Sequence, residues 1–513
     1  MPTSPADTTQ ASPAASEARR TRREDEQRTL RNAGVVVASR VLHVAAATLF
    51  AIAVPRLLGP VRFGRYALLT SVSEWFGQLS GLGVFSLVTR VVPQLIASGR
   101  SVDTDRLFTN LFAWRLVTAM AVAAVYSIIV LAWLDEPDAL AAALIAAALP
   151  GRILANVCFG LFLGRNQAVR WTAGDLLQRW LLLVLVVLGA VVGGLRGACA
   201  GYFLASLVVL LVGVVGTRRS LRWELLDPTM RYLRPYLRIG LSYAAAHATH
   251  MIALRSGTVV VRLATGSYLQ VGYFGAAMAM YQMGGSTMWQ LALSLTPFFV
   301  ARFHAGDRAA VAGWLERLLV LFVLGAVLVN LAVLFVGADL LPRLLGADYA
   351  PIVATVTPLA AALVPFACAA IGRMAALIVD RPRVAAAAGA AELAAAWIAG
   401  VVLAARQGAP GAALGVLVAT CVWAAIMLWP LRAVLPVSMK PALKALALGA
   451  AFTPVALLRG GPAVNAALLL ASAGAYLALA VRLHIVSPRD LETLRHLARR
   501  RASADRAAAL ADE

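Results

Sequence analysis

The sequence predicts an all-α, polytopic membrane protein with about fourteen transmembrane helices, and three observations carry that prediction. Of 513 residues, 61% are hydrophobic and 14% charged, with a mean hydropathy of +0.78. Apolar runs of bilayer length follow one another along nearly the whole chain. Lys and Arg gather in alternate connections between those runs. An ordinary soluble domain is about half apolar and roughly a quarter charged, so a soluble enzyme is excluded.

Residues 1–31 are polar and carry the cluster Arg19-Arg20-Thr-Arg22-Arg23. No apolar stretch follows early enough for a cleaved signal peptide, and the composition predicts a disordered basic tail. Fourteen spans follow: 33–56, 66–89, 107–133, 138–162, 173–195, 197–216, 239–262, 270–299, 313–337, 351–379, 383–404, 409–430, 441–458 and 463–481. A basic tail at 486–513 contains Arg499-Arg500-Arg501. The longest connection, 217–238, holds Arg218, Arg219, Arg222, Arg231, Arg234 and Arg238. It reads as a cytoplasmic hinge strap between an N-lobe (32–216) and a C-lobe (239–432), with two further helices at 433–485.

The charges test this map. Of the 46 Lys and Arg, 32 fall in or at the edge of segments on the side of the N-terminus, 8 lie in the opposite connections and 6 lie within spans. That excess predicts both termini in the cytoplasm. The net charge of +21 is nearly all arginine, since Lys440 and Lys444 are the only lysines. Spread through short loops, it follows the positive-inside pattern, and no nucleic-acid partner is expected.

An internal repeat supports the two lobes. Arg56-Leu-Leu-Gly59-Pro60-Val-Arg62-Phe63-Gly64-Arg65-Tyr66-Ala67 follows span one. Arg262-Leu-Ala-Thr-Gly266, then Val271-Gly272-Tyr273-Phe274-Gly275-Ala276, follows span seven. Aligning Gly64 with Gly272 offsets the copies by 208 residues. Each has an Arg at a helix end, a glycine turn and an aromatic-glycine entry to the next span.

Charges within a bilayer cost about 2.5–3.5 kcal/mol at mid-helix and usually face a cavity. Here they are cationic: Arg40, His43, Arg115, Arg152, Arg179, Arg255 and Arg373. Asp175 and Arg179 have the spacing of a local ion pair. Arg152 and Arg373 lie near span ends, where snorkelling competes with cavity lining. Arg40 and Arg255 lie deeper and read as cavity lining. Tyr243, His247 and His250 share a face of span seven, and interior hydrogen bonding competes there with a ligand or proton-coupling role. Span two carries Ser71, Glu74 and Gln78 as a polar stripe; span eight carries Gln282, Ser286 and Gln290. The repeat offset aligns Glu74 with Gln282 and Gln78 with Ser286. Both stripes are expected to face a shared cavity, with interhelical hydrogen bonding as the competing reading.

The chain has no Gly-rich phosphate loop with a lysine, no HExxH and no nucleophile elbow. Cys158, Cys199, Cys368 and Cys421 lack metal-ligand spacing and read as buried packing residues. No cofactor and no metal are expected. Asp135-Glu136-Pro137-Asp138 reads as a polar turn.

The segment from Arg56 to Leu68 resembles the R-x-L-G-P-x-x-F-G-x-Y-A-L signature of the polysaccharide flippase branch of the multidrug/oligosaccharidyl-lipid/polysaccharide transporter superfamily. Gly81-Leu-Gly83…Thr89-Arg90 and Leu295-Thr296-Pro297…Ala301-Arg302 resemble the ends of that family's second and eighth helices. The usual acid before Gly81 is absent, with Ser80 in its place. The resemblance spans about 32–485. It implies two six-helix lobes around a V-shaped cavity, two outer helices, and an inner-membrane flippase for undecaprenyl-pyrophosphate-linked glycan. Membrane lipids, a polysaccharide polymerase and glycosyltransferases would be its partners. Arginine forks match phosphate oxygens, so Arg40, Arg255 and Arg115 are the candidates for the pyrophosphate. Glu74, Gln78, Gln282 and Gln290 are the candidates for sugar contacts. His43, His247 and His250 are the candidates for coupling, although membrane potential acting on an anionic headgroup would serve as well. The alternatives are a lipid II flippase for peptidoglycan and a cation-coupled multidrug exporter of the same superfamily. A membrane glycan polymerase is disfavoured by the short external loops.

Overall fold

The computed structural model describes residues 13–485 except 82–83, 134–135, 230, 430–434, 436 and 459. The side chains of 13–40, 84–86, 89–90, 101, 133, 168, 237–247, 293–294, 297–298, 301 and 382 are outside the description as well. The described chain consists of thirteen α-helices with short 3-10 and π segments: α1 (Pro13–Gly81), α2 (Val84–Ala97), α3 (Ser101–Ile128), α4 (Ala139–Gly164), α5 (Ala168–Thr217), α6 (Arg234–Thr265), α7 (Tyr268–His304), α8 (Arg308–Leu345), α9 (Val353–Ile378), α10 (Pro382–Gln407), α11 (Ala409–Leu428), α12 (Lys440–Phe452) and α13 (Pro462–Arg482). Ten helical segments are long and apolar enough to cross a membrane. Two of them fold back on themselves. α1 turns at Gly59 (φ 68°) and α5 at Gly193-Gly194 (φ −133° and 57°). With each turn counted, and with α6 and α7 added by their length, the expected fourteen arms are present among the described residues. The surface is what lipid requires: Val192, Ile398, Val117 and Leu470 are exposed, since apolar side chains cost nothing against hydrocarbon.

Helical backbone begins at Pro13, inside the segment that composition reads as a disordered tail. Its Ala, Arg, Glu and Gln content favours helix locally. The internal repeat is visible in the turns. Gly59 and Gly266 both take left-handed φ, 68° and 65°, a conformation that a β-carbon disfavours. Each ends one arm and admits the next.

Two helical groups result. In the first, α1 packs on α4 and α5, and α2 and α3 on α4; the Tyr126 hydroxyl donates to Leu69 O at 3.1 Å, binding α3 to α1. In the second, α10 packs on α6 and α11, and α9 on α7, α8 and α11; Asn330 donates to Ala326 O (2.9 Å) and Ala360 O (2.8 Å), joining α8 to α9. Helices α12 and α13 lean on α8, held by Asn465 to Asp339 at 2.7 Å. A crevice of about 810 Å³ opens between α8, α9, α11 and α12. The connection 217–238 is tied to the first group. Asn110 of α3 donates to Leu225 O at 2.9 Å and accepts from Asp227 N at 2.6 Å, and Thr109 accepts from Arg222 N at 3.0 Å. The first half of the connection is thus anchored on α3. Cys158 and Cys199 are buried as expected, but Cys421 is exposed, on the outer face of α11 where a thiol costs nothing against lipid.

Candidate functional site

The polar residues collect in three places. The first lies between α1, α4 and α5. Arg152 donates to the Glu74 carboxylate and to the Tyr202 hydroxyl. The Glu74 and Arg152 side chains keep 24% and 18% exposure, so the pair borders an accessible space. Arg152 therefore does not snorkel: its position one helix away from Glu74 makes an ion pair cheaper than a stretch to the interface. Beside it, Asp175 accepts from Arg179 Nε at 3.5 Å, as the spacing predicts, and His43 Nδ1 lies 3.2 Å from the same oxygen.

Arg255 of α6 completes this constellation from the other lobe. Its side chain is half-buried and makes no hydrogen bond or ion pair among the described residues. It lies within electrostatic reach of Glu74 and Tyr202. Gln282 of α7 donates to Leu254 O at 3.4 Å, steadying the α6 turn that carries Arg255. Trp75 and Trp397 meet across the lobes with centroids 6.0 Å apart, and Trp397 Nε1 donates to Ser256 Oγ at 3.2 Å. Three guanidiniums (Arg152, Arg179, Arg255) thus face two carboxylates (Glu74, Asp175), leaving a positive surplus with Arg255 uncommitted.

The remaining candidates are dispersed. Arg115 is 4% exposed, reaches Ser80 Oγ at 3.4 Å, and has Nε and Nη1 without partners among the described residues. Ser80 meets this guanidinium with a neutral hydroxyl and leaves its charge unbalanced. Gln78 and Gln290 are partly exposed and make no side-chain hydrogen bond among the described residues. The Ser286 hydroxyl donates to Met283 O of its own helix at 3.0 Å. The side chains of Arg40, Tyr243 and His247 lie outside the described residues.

The second place joins His250 and Arg373, both candidates from the sequence, to Glu392, which the sequence reading did not single out. His250 is buried in the C-lobe, stacked on Trp423 (centroids 4.1 Å, 24° between planes), with Nδ1 2.6 Å from Glu392 Oε2. Both side chains are 4% exposed. Arg373 of α9, whose guanidinium lies 4.4 Å over the Trp289 ring, is within electrostatic reach of both. Arg373 is thus interior as well. Glu392 stands alone as an acid in the apolar run of α10, and that isolation was the signal that could have found it.

The third place holds the residues of the repeat motif, Arg56, Gly59, Pro60, Phe63 and Gly64, where the starts of two helical arms meet. Arg56 Nη1 donates to Leu344 O at 3.3 Å and Arg343 O at 3.4 Å, capping the end of α8. Phe63 is buried, 6.3 Å from Tyr66. None of the five is among the partners of Glu74 or Arg152. Of the acidic turn, Asp138 accepts from Ala141 N at 3.2 Å as a helix cap, while Glu136 is buried and faces Arg65 at 3.9 Å.

No protein-family model matches the chain, and no curated protein matches it by sequence. Solved structures do share its fold. The lipid II flippase MurJ in an inward closed conformation superposes with a TM-score of 0.66 at 10% identity, covering 89% of this chain and all of that one (100%). An inward-facing multidrug resistance MATE family transporter of the MOP superfamily gives 0.60 at 15% identity, covering 78% and 94%. A MATE in complex with MaD3S gives 0.52 at 18% identity, covering 79% and 96%. At these identities the likeness establishes the fold, that of MOP-superfamily transporters and flippases.

Proposed function

We propose that this chain is a flippase that carries undecaprenyl-pyrophosphate-linked oligosaccharide across the bacterial inner membrane by alternating access, for cell-surface polysaccharide assembly. The observation that carries the reading is Arg255: a guanidinium with no partner among the described residues, within electrostatic reach of a cluster whose two carboxylates are already matched by Arg152 and Arg179, so that Arg255 is the surplus cation. An anionic headgroup fits that surplus, and a fork donor matches phosphate oxygens. Gln78, Gln290 and the Trp75/Trp397 pair offer amide and ring surfaces suited to sugars. The isoprenoid tail stays in lipid. Arg40 and Arg115 remain candidates for the same headgroup. The arginine distribution supports a topology with both termini in the cytoplasm.

In this reading, His250 and Glu392 are the coupling pair: a buried imidazole and carboxyl 2.6 Å apart, within reach for passing a proton, in the lobe opposite the anion cluster. His43, against Asp175, is the second coupling candidate. The same buried acid is the observation that favours the runner-up, a cation-coupled exporter, while a lipid II flippase would use the same arginine surplus.

The test is lipid-linked glycan analysis of inner membranes after depletion, with rescue by wild type, Arg255→Ala and Arg255→Lys. Precursor accumulation that wild type clears and Arg255→Ala does not is the expected result, with Arg255→Lys intermediate. Rescue by Arg255→Ala equal to wild type would refute the headgroup assignment. Normal surface polysaccharide with no accumulated precursor would refute the flippase reading in favour of the exporter, and accumulation of peptidoglycan precursor would point to lipid II.

A further inference from the structure

Among the described residues, Arg56, Gly59, Pro60, Phe63 and Gly64 make no hydrogen bond to the anion cluster, which the motif borders only through Tyr66 against Tyr202 (ring centroids 6.4 Å apart), yet the motif forms a close backbone contact between the lobes. A β-carbon added at Gly64 would collide with the Tyr268 carbonyl and lie 2.8 Å from Gly272 N; one added at Gly272 would collide with the Pro60 carbonyl. One added at Gly275 would lie 2.9 Å from the Ala67 β-carbon. Pro60 with Tyr268, Gly64 with Gly272, and Ala67 with Gly275 are all pairs at the repeat offset of 208 residues. The contact is therefore reciprocal about a pseudo-two-fold axis: the same small-residue face of each lobe meets its own counterpart.

A polar rim surrounds this dry backbone seam. The guanidiniums of Arg65 and Arg262 lie over the Tyr268 ring at 5.0 and 4.2 Å. The Tyr268 hydroxyl hydrogen-bonds Glu136, which also faces Arg65 at 3.9 Å. Arg56 reaches the end of α8, and the Tyr349 hydroxyl donates to Pro55 O at 3.3 Å. Every one of these groups except Arg262 bridges the two lobes. Such a seam is built to part. Glycine faces approach closely with little side-chain interlocking beyond the Phe63 ring against Gly275, so separation breaks that contact, weak Cα–H contacts worth about 0.5–1 kcal/mol each, and a charged rim.

We propose that segment 56–67, meeting its repeat copy 262–275, is the outer gate of the alternating-access cycle: closed here by backbone contact, and separated when the cavity opens to the outside. The motif is then a gating device, not a substrate site. Alternating access itself belongs to the functional reading above, but the seam is tested without substrate. Ala67, buried beneath the seam, is replaced by Cys in a chain whose Cys158, Cys199, Cys368 and Cys421 are Ala. Labelling by a membrane-impermeant maleimide is followed in spheroplasts and in inverted vesicles.

Gly64→Ala and Gly272→Ala wedge the seam and are expected to raise labelling in spheroplasts about fivefold or more. Should either variant fail to accumulate, the rim variants Arg65→Gln and Glu136→Gln put no new bulk in the seam and are expected to raise it about two- to threefold. Unchanged labelling in well-folded seam and rim variants overturns the gate. A rise confined to inverted vesicles overturns its outward placement. Lipid-linked glycan, measured in the same strains, scores the substrate reading separately.

Discussion

The pair Glu74–Arg152 offers a quantitative test of how the first cluster is held. Consider Glu74→Gln, Arg152→Met and the double variant. Removing one partner of a fully buried ion pair costs about 3–5 kcal/mol, because the other charge is stranded. Neutral interhelical hydrogen bonds in membrane proteins couple by only about 0.6 kcal/mol on average and about 1.7 at most. Here the side chains retain 24% and 18% exposure, so water screens part of the charge. Arg255 also stands within electrostatic reach of Glu74 as a substitute partner. Both facts lower the cost of Arg152→Met to about 2–3 kcal/mol, below the buried limit. Glu74→Gln keeps an acceptor for Arg152 and should cost less. The expected coupling in the cycle is about 1.5 kcal/mol, read by equilibrium unfolding of purified protein in mixed detergent–SDS micelles. A coupling below about 0.5 kcal/mol, the limit of simple additivity, would show that the two side chains do not act as a pair. The reasoning about the cluster would then fail.

Three further outcomes are expected. His250→Phe preserves the ring stacked on Trp423 but removes the proton acceptor beside Glu392, so the protein should accumulate normally while transport loses its response to an imposed pH gradient; an intact response would sink the coupling assignment. Asn110→Ala severs both hydrogen bonds to the 217–238 connection, worth about 1–3 kcal/mol, and trypsin should cut that arginine-rich segment about tenfold faster or more in inverted vesicles. Hydrogen bonds from Thr229 and the Tyr232 amide hold the Asp227 carboxyl below its usual range. Because the folded-state value is depressed, this contribution is present above the unfolded value of about 3.9 and is lost as pH falls through the folded one. Hydrogen exchange of the Tyr232 amide should therefore stay protected from pH 7 to 5 and lose that protection only below about pH 4; loss by pH 5 would contradict the assignment.

How far the site was legible varies by residue. The Asp175–Arg179 pair followed from helical spacing, because i,i+4 neighbours meet whatever the fold does. Arg255 read as cavity lining from its depth in an apolar run, and it is half-buried, but its lack of a partner among the described residues had no local signal. Arg152 did not, since its partner lies 78 positions away and nothing local distinguishes an ion pair from snorkelling. Glu392 was overlooked although it is an isolated acid in an alanine-rich helix; cationic positions drew attention, and its base partner lies on α6, 142 positions earlier.

By itself the sequence determined the class of protein, the succession of arms, the left-handed turns and the internal repeat. These rest on local quantities: hydropathy over one bilayer thickness, glycine at positive φ, and similarity at a constant offset. Only the tertiary structure decided what the repeat is for. Gly64 and Gly272 read locally as glycines at the entry to a span, and their reciprocal contact exists because two helical arms 208 residues apart were brought together by packing elsewhere. The same holds for the anion cluster. Charges from α1, α4, α5 and α6 share one space only after the lobes close, because long-range pairing depends on which faces meet and not on what each helix is made of.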